Sequence, residues 1–63
     1  MFHGVATAIN DINAIDVKSG EQGIITAYLP EDNIFAVLFS KDKWITFKEN
    51  ENEFLNKFNI IQE

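Results

Sequence analysis

Cysteine is absent from this chain. Disulfides and thiolate metal sites are therefore excluded, and a reducing compartment suits the protein. His3 is the only histidine, so a structural zinc site would have to draw its other ligands from carboxylates. Positive charge is scarce as well. Ten acidic residues face five basic ones, for a net charge of −5. That balance argues against grasping nucleic-acid phosphates, where a basic patch supplies most of the affinity. It argues equally against an anionic membrane surface. Nothing approaches the roughly 18 consecutive apolar residues of a membrane-spanning helix. No basic segment followed by an apolar core opens the sequence, so no signal peptide is expected. The expectation is a soluble, cytoplasmic protein. Internal repeats, linkers and low-complexity stretches are also missing.

What is present fits one small domain, residues 1–63. A chain of this length buries only roughly 60% of its unfolded surface and is marginal in stability. Domains of this size lean on disulfides, a metal or oligomerisation when the core is thin. With the first two unavailable, a well-filled core or association with another chain must serve. Six phenylalanines, one tryptophan and one tyrosine are generous material for such a core.

The organising stretch is Gly20 to Phe47. Ile24–Leu29, Ile34–Phe39 and Trp44–Phe47 are β-branched and aromatic runs, which favour strands. Pro30-Glu-Asp-Asn33 and Ser40-Lys-Asp-Lys43 separate them. Proline presets φ early in a turn, and Asp or Asn tolerates the later positions. Connections this short make the three strands antiparallel neighbours. Either Gly20 or Gly23 takes positive φ in a tight turn before the meander.

The flanks are expected to complete the sheet. Val5, Thr7 and Ile9 alternate with Ala6 and Ala8 and suit a first strand, although alanine also favours helix. Asn10–Ser19 is rich in Asn and Asp, which favour turns. It reads as a long loop with Ile12, Ile15 and Val17 tucked beneath it, or as a helical turn through Asp11–Asp16. Glu51–Asn56 fits one helical or 3-10 turn. Phe58, Ile60 and Ile61 follow as a short last strand.

That order resembles an SH3-like barrel. Gly20-x-x-Gly23-Ile-Ile with Phe35-x-Val37-x-Phe39 is similar to the glycine and valine pattern of KOW- and SH3-like barrels. Trp44 to Leu55 is similar to the closing segment of the SH3-like subunit of the photosynthetic NADH-dehydrogenase-like complex and of related short domains of unknown function. The resemblance covers about residues 4–61. It implies an all-β, five-stranded barrel with a short 3-10 turn before the last strand. For the photosynthetic subunit it also implies docking of an acidic electron carrier. A net charge of −5 does not suit that partner, so only the fold is carried across.

Side chains alternate across a strand. If Val37 and Phe39 point inward, as the resemblance implies, so does Phe35. Ile25, Ala27 and Leu29 then follow on the second strand, and Ile45 and Phe47 on the fourth. Val5, Thr7, Phe54, Phe58 and one of Ile60 or Ile61 would complete the core. The outer face then carries Ile24, Thr26, Tyr28, Ile34, Ala36, Leu38, Trp44 and Thr46. A wet face should be polar, and this one is not. An apolar patch of that kind marks an interaction surface, unless the chain's own loop or N-terminal segment covers it. Trp and Tyr are favoured interface anchors. The candidate partner-binding residues are therefore Ile24, Tyr28, Ile34, Leu38 and Trp44.

Catalytic chemistry finds little to work with. His3 has no nucleophile in an obvious arrangement and reads as a surface or edge residue rather than a general base. Glu31 and Asp32 sit on a turn and are too few ligands for calcium. Gly20-x-x-Gly23 lacks the lysine and helix of a phosphate loop. Glu49, Glu51 and Glu53 form a charge-rich connection, read either as solvated or as an acidic patch for a basic partner. The expectation is a non-enzymatic interaction module with no metal, cofactor or small-molecule ligand. It would form a homodimer or dock on a larger protein. The alternative is an acidic inhibitor, of phage or mobile-element type, that occupies a nucleic-acid-binding surface of a host protein.

Overall fold

Hydrogen bonding joins five antiparallel strands into one sheet in a computed structural model that describes residues 4–62. The strands are β1 (Gly4–Ala8), β2 (Gln22–Leu29), β3 (Ile34–Ser40), β4 (Lys43–Lys48) and β5 (Phe58–Gln62). Their order in the sheet is β4-β3-β2-β1-β5. The three-strand meander therefore sits where the β-branched runs and short turns place it, each strand one or two residues longer than its apolar run. No helix among the described residues is long and apolar enough to cross a membrane.

The sheet is rolled rather than flat. β4 and β5 are its two edges, yet the rings of Phe47 on β4 and Phe58 on β5 lie 5.6 Å apart, edge to face. Phe39 stacks on Phe58 from β3 at 6.3 Å. The edges thus meet through aromatic side chains, and hydrogen bonds do not close the ring of strands. Two irregularities drive the curl. Thr26 is an extra residue between the Ile25–Val37 and Ala27–Ala36 pairs, and Phe39 is extra between Leu38–Trp44 and Ser40–Lys43. Bulges of this kind bend a strand and increase its twist.

A single helical turn plugs the roll. α1 (Glu51–Leu55) carries Phe54 into the centre, fully buried. The expectation of a 3-10 turn here is corrected: the bonds run from Phe54 N–H to Asn50 and from Asn56 N–H to Asn52, the four-residue spacing of an α-helix. The cause is the cap. The Asn50 side chain accepts from the Glu53 N–H at 2.9 Å and donates to the Glu53 carboxylate at 2.9 Å. An N-cap residue reaching its third successor satisfies orphan amides and favours the α form. The 3-10 turns lie elsewhere, at Asn13–Ile15 and Pro30–Asp32, each closed by a left-handed residue, Asp16 and Asn33.

Two inward assignments are also corrected. On β1 the buried residues are Ala6 and Ala8, while Val5 and Thr7 take the other face. Phe54 and its neighbours fill the space opposite, so small side chains fit there. On β2 the Thr26 bulge reverses the alternation. Ile25 remains buried, but beyond it Tyr28 packs on the core and Leu29 is exposed. Ala27 is consequently only half-buried. Phe35, Val37, Phe39, Phe47, Phe54, Phe58 and Ile60 are buried or packed on the core as expected, whereas Ile61 faces out. The long loop behaves as read. Ile12 and Val17 form an isolated bridge, Val17 is fully buried, and Ile12 and Ile15 pack against the core.

Candidate interaction surface

The outer face is best followed along one row of cross-strand partners. Trp44 lies opposite Leu38, Leu38 opposite Ile24, Ile24 opposite Val5, and Val5 opposite Ile61. Every strand contributes one apolar side chain. Directly opposed side chains sit near enough to pack, so the row is continuous. Trp44 is 62% exposed, and Ile24 and Ile61 are each 59% exposed. Val5 and Leu38 lie lower between them, half-buried. Because the sheet is rolled, the row runs around the outside.

Charge reinforces the pattern. The five strands contain no acidic residue at all, and only Lys43 and Lys48, at the two ends of β4, are charged. Nine of the ten acidic residues lie between strands, and the tenth, Glu63, follows β5 in the sequence.

Of the five residues singled out from the sequence, Ile24, Leu38 and Trp44 are brought together in this row. Ile34 shares the face but stands at the far end of β3, between Leu29 and Lys48. Tyr28 does not belong there: the bulge turns it inward, with its ring edge-on to Phe35 at 5.1 Å. Val5, Ile61 and Leu29 were missed. Leu29 comes to this face through the same bulge, and Val5 because β1 buries Ala6 and Ala8 instead.

Glu49, Glu51 and Glu53 do not form a free acidic face. The Glu49 carboxylate pairs with the Lys57 ammonium at 2.6 Å and is largely buried, and that ammonium also lies 4.8 Å above the centre of the Phe47 ring. Glu51 accepts a hydrogen bond from the Tyr28 hydroxyl. Glu53 belongs to the helix cap described above. Each carboxylate holds a piece of the closing segment in place.

Tyr28 keeps its proton further into alkali than a free tyrosine does. Burial first, then the hydrogen bond to Glu51 and that carboxylate's negative charge, push its hydroxyl from 10 up to about 12. The neutral phenol is thus favoured by folding. Its contribution is complete below pH 10 and is lost as pH rises from 10 towards 12. Tyr28→Phe should cost about 1 kcal/mol at neutral pH, a charged hydrogen bond discounted for partial exposure. Denaturant melts of both proteins across this window should show the gap between them closing. A constant gap would mean that the hydroxyl is not the titrating contact.

Among the described residues, no three His, Asp or Glu side chains converge as a metal site. His3 lies outside the described residues. Glu31 and Asp32 are exposed on the Pro30–Asp32 turn. A cleft of about 390 Å³ lies between residues 10–14 of the loop, Phe47 and Lys57. The chain matches no family model, no curated protein and no solved structure.

Proposed function

We propose that this chain is a non-enzymatic protein-interaction module, a single SH3-like barrel domain of a reducing compartment such as the cytoplasm. It self-associates or docks on a larger protein through the outer face of its sheet. Nucleic acid, membrane and small molecules are not its partners. The strand order and the roll closed by Phe47, Phe58 and α1 support the barrel reading. The observation that carries the function is the row itself: Ile24, Leu38 and Trp44 stand in register on a face without acidic residues. An exposed Trp flanked by aliphatic side chains is a typical interface anchor. The acidic-inhibitor reading has less support, because Glu49, Glu51 and Glu53 are each engaged within the chain.

Trp44→Ala is the direct test. Trp44 is mostly solvent-exposed, so the fold should lose no more than about 0.5 kcal/mol. Association, read by sedimentation across a dilution series and by capture of partners from the source cell, should weaken roughly tenfold or more. Leu38→Asp should act in the same direction. Unchanged sedimentation and capture for both variants would remove the proposal. The acidic reading is tested on the unaltered chain: it predicts steep loss of binding as salt is raised, whereas binding through the apolar row should hold.

A further inference from the structure

β4 is one edge of the sheet, and the backbone groups it leaves unspent can be identified. The Glu49 N–H bonds to the Asn33 carbonyl, one step beyond the Ile34–Lys48 pair. Bonded and non-bonded pairs alternate along an antiparallel ladder, so Phe47 and Ile45 also spend their backbone groups on β3. Trp44, Thr46 and Lys48 point theirs away from it, and no strand lies on that side among the described residues. All three residues are exposed. Ile45 and Phe47 turn inward yet stay half-buried, whereas their partners on β3, Val37 and Phe35, are fully buried. The edge is therefore open at the positions that carry the unspent groups.

Two further features lie beside it. Phe47 lines the cleft of about 390 Å³ with residues 10–14 and Lys57. A strand laid along β4 would turn the side chain opposite Phe47 to that same side, where Ile12 and Ala14 offer apolar surface. The second feature is charge. Lys48 at one end of β4 and Lys41 just before the other have no ion-pair or hydrogen-bond partner among the described residues. Lys43 bonds only to the Asp16 carbonyl. In a chain of net charge −5, these unpaired ammonium groups flank a single edge. Edge lysines deter a strand that brings no counter-charge, and so select one that does.

We propose that β4 receives an extended segment of a partner protein, paired antiparallel along Trp44–Lys48. The segment carries a carboxylate opposite Lys48 and a large apolar side chain opposite Phe47, at the cleft. Trp44, Thr46 and Lys48 become bonded pairs, which supply about six hydrogen bonds; strand addition of this kind takes affinity from the backbone and specificity from alternate side chains. A second copy is not the occupant. None of its five strands contains an acidic residue, and two chains of net −5 repel. The inference rests on the proposed function only in reading the chain as an interaction module; it names the edge, and the chemistry of the segment, through which a larger protein is held.

The probe is a labelled, end-blocked peptide, Glu-Leu-Thr-Val-Val-Thr, whose first residue falls opposite Lys48 and whose second falls opposite Phe47. Lysine in place of its glutamate should weaken binding roughly fivefold or more, because opposed cross-strand charges attract and like charges repel. Lys48→Glu should reverse that preference. The Lys48 side chain is exposed and unpartnered, so the variant keeps the fold. Bound peptide should slow amide exchange at Trp44, Thr46 and Lys48. No binding at millimolar peptide, equal affinity for both peptides, or three amides left unprotected overturns the inference. If Leu38→Asp abolishes partner capture and Lys48→Glu leaves it unchanged, the partner sits on the outer row; the edge inference then fails and the proposed function stands. If Leu38→Asp leaves partner capture and sedimentation unchanged while capture and peptide follow the charge at position 48, the outer row fails and the edge stands.

Discussion

Phe54→Ala should remove much or all of this protein's stability at room temperature. Phe54 is fully buried although it comes from a helix of one turn. It stacks on Phe35 at 4.5 Å with the rings within 9° of parallel, and lies 5.2 Å from Phe58 and 5.7 Å from Phe47. These rings come from β3, β4 and β5, and Tyr28 of the central strand β2 lies 6.1 Å away, so one side chain joins the middle of the sheet to both of its edges. Truncating a buried phenylalanine costs about 3–5 kcal/mol. At about 0.05–0.15 kcal/mol per residue, a chain of this length has only about 3–9 kcal/mol in all. The loss therefore matches much or all of the stability. Phe54→Leu keeps most of the volume and should remain folded at a cost of roughly 1–2 kcal/mol. Thermal and urea unfolding followed by near-UV circular dichroism would separate the two. A cooperative transition for Phe54→Ala within about 1 kcal/mol of wild type would show that the aromatic cluster is not what holds the edges together.

The parts of this fold legible from sequence are those where one residue type dictates one geometry. Pro30 and Asn33 mark a turn whichever way the sheet faces, and the uninterrupted apolar run of Ile34–Phe39 leaves little besides a central strand. Parity on β1 was not legible. Alternation leaves two choices there, and the larger side chains Val5 and Thr7 look like the better core. The choice turns on how much room Phe54 and Phe35 leave opposite, which is a property of the assembled structure. The Thr26 bulge was equally hidden, because Ile24–Leu29 alternates acceptably without it. Tyr28 was misplaced for that reason alone. The turn over Glu51–Asn56 is legible as helical or 3-10, and Asn50 followed by Glu53 is the cap signal, readable from the sequence, that decides for the α form.

The distribution of charge links the fold to the proposed partners. A small domain with a large net charge remains soluble even when apolar side chains are exposed. Here all the carboxylates but that of Glu63 lie at the turns, in the loop and around α1, while the strands carry Ile24, Trp44 and Ile61 on their outer side. Repulsion between connections then restricts how two molecules approach. Only arrangements that keep the connections apart and bring strands together are favourable. The outer row of Ile24, Leu38 and Trp44 satisfies that condition.

Gly23→Ala should be far more damaging than its size suggests, and by a different mechanism from Gly20→Ala. Gly20 has φ +91° in the turn before β2, and nothing lies within 4 Å of where its Cβ would be. Alanine there suffers backbone strain alone, about 1–2 kcal/mol, and asparagine, which tolerates left-handed conformations, should recover part of it. Gly23 is the opposite case. Its backbone is ordinary strand, but a Cβ would lie 2.7 Å from Val37 Cγ1, 2.9 Å from Phe39 Cδ1 and 3.0 Å from the Leu38 carbonyl oxygen. Val37 is fully buried and cannot step aside. Overpacking of this kind costs about 1–3 kcal/mol, and the displaced strand would be β3 itself. The two glycines are therefore distinguished by rescue. Val37→Ala removes the nearest of the three close atoms and leaves Phe39 Cδ1 and the Leu38 carbonyl oxygen in place, so Gly23→Ala and Val37→Ala together should be less destabilising than the sum of the single changes, by roughly 1 kcal/mol in a double-mutant cycle. Gly20→Ala combined with Val37→Ala should be additive. Additivity in the Gly23 pair would show that the close approach of β2 to β3 is not what requires glycine there.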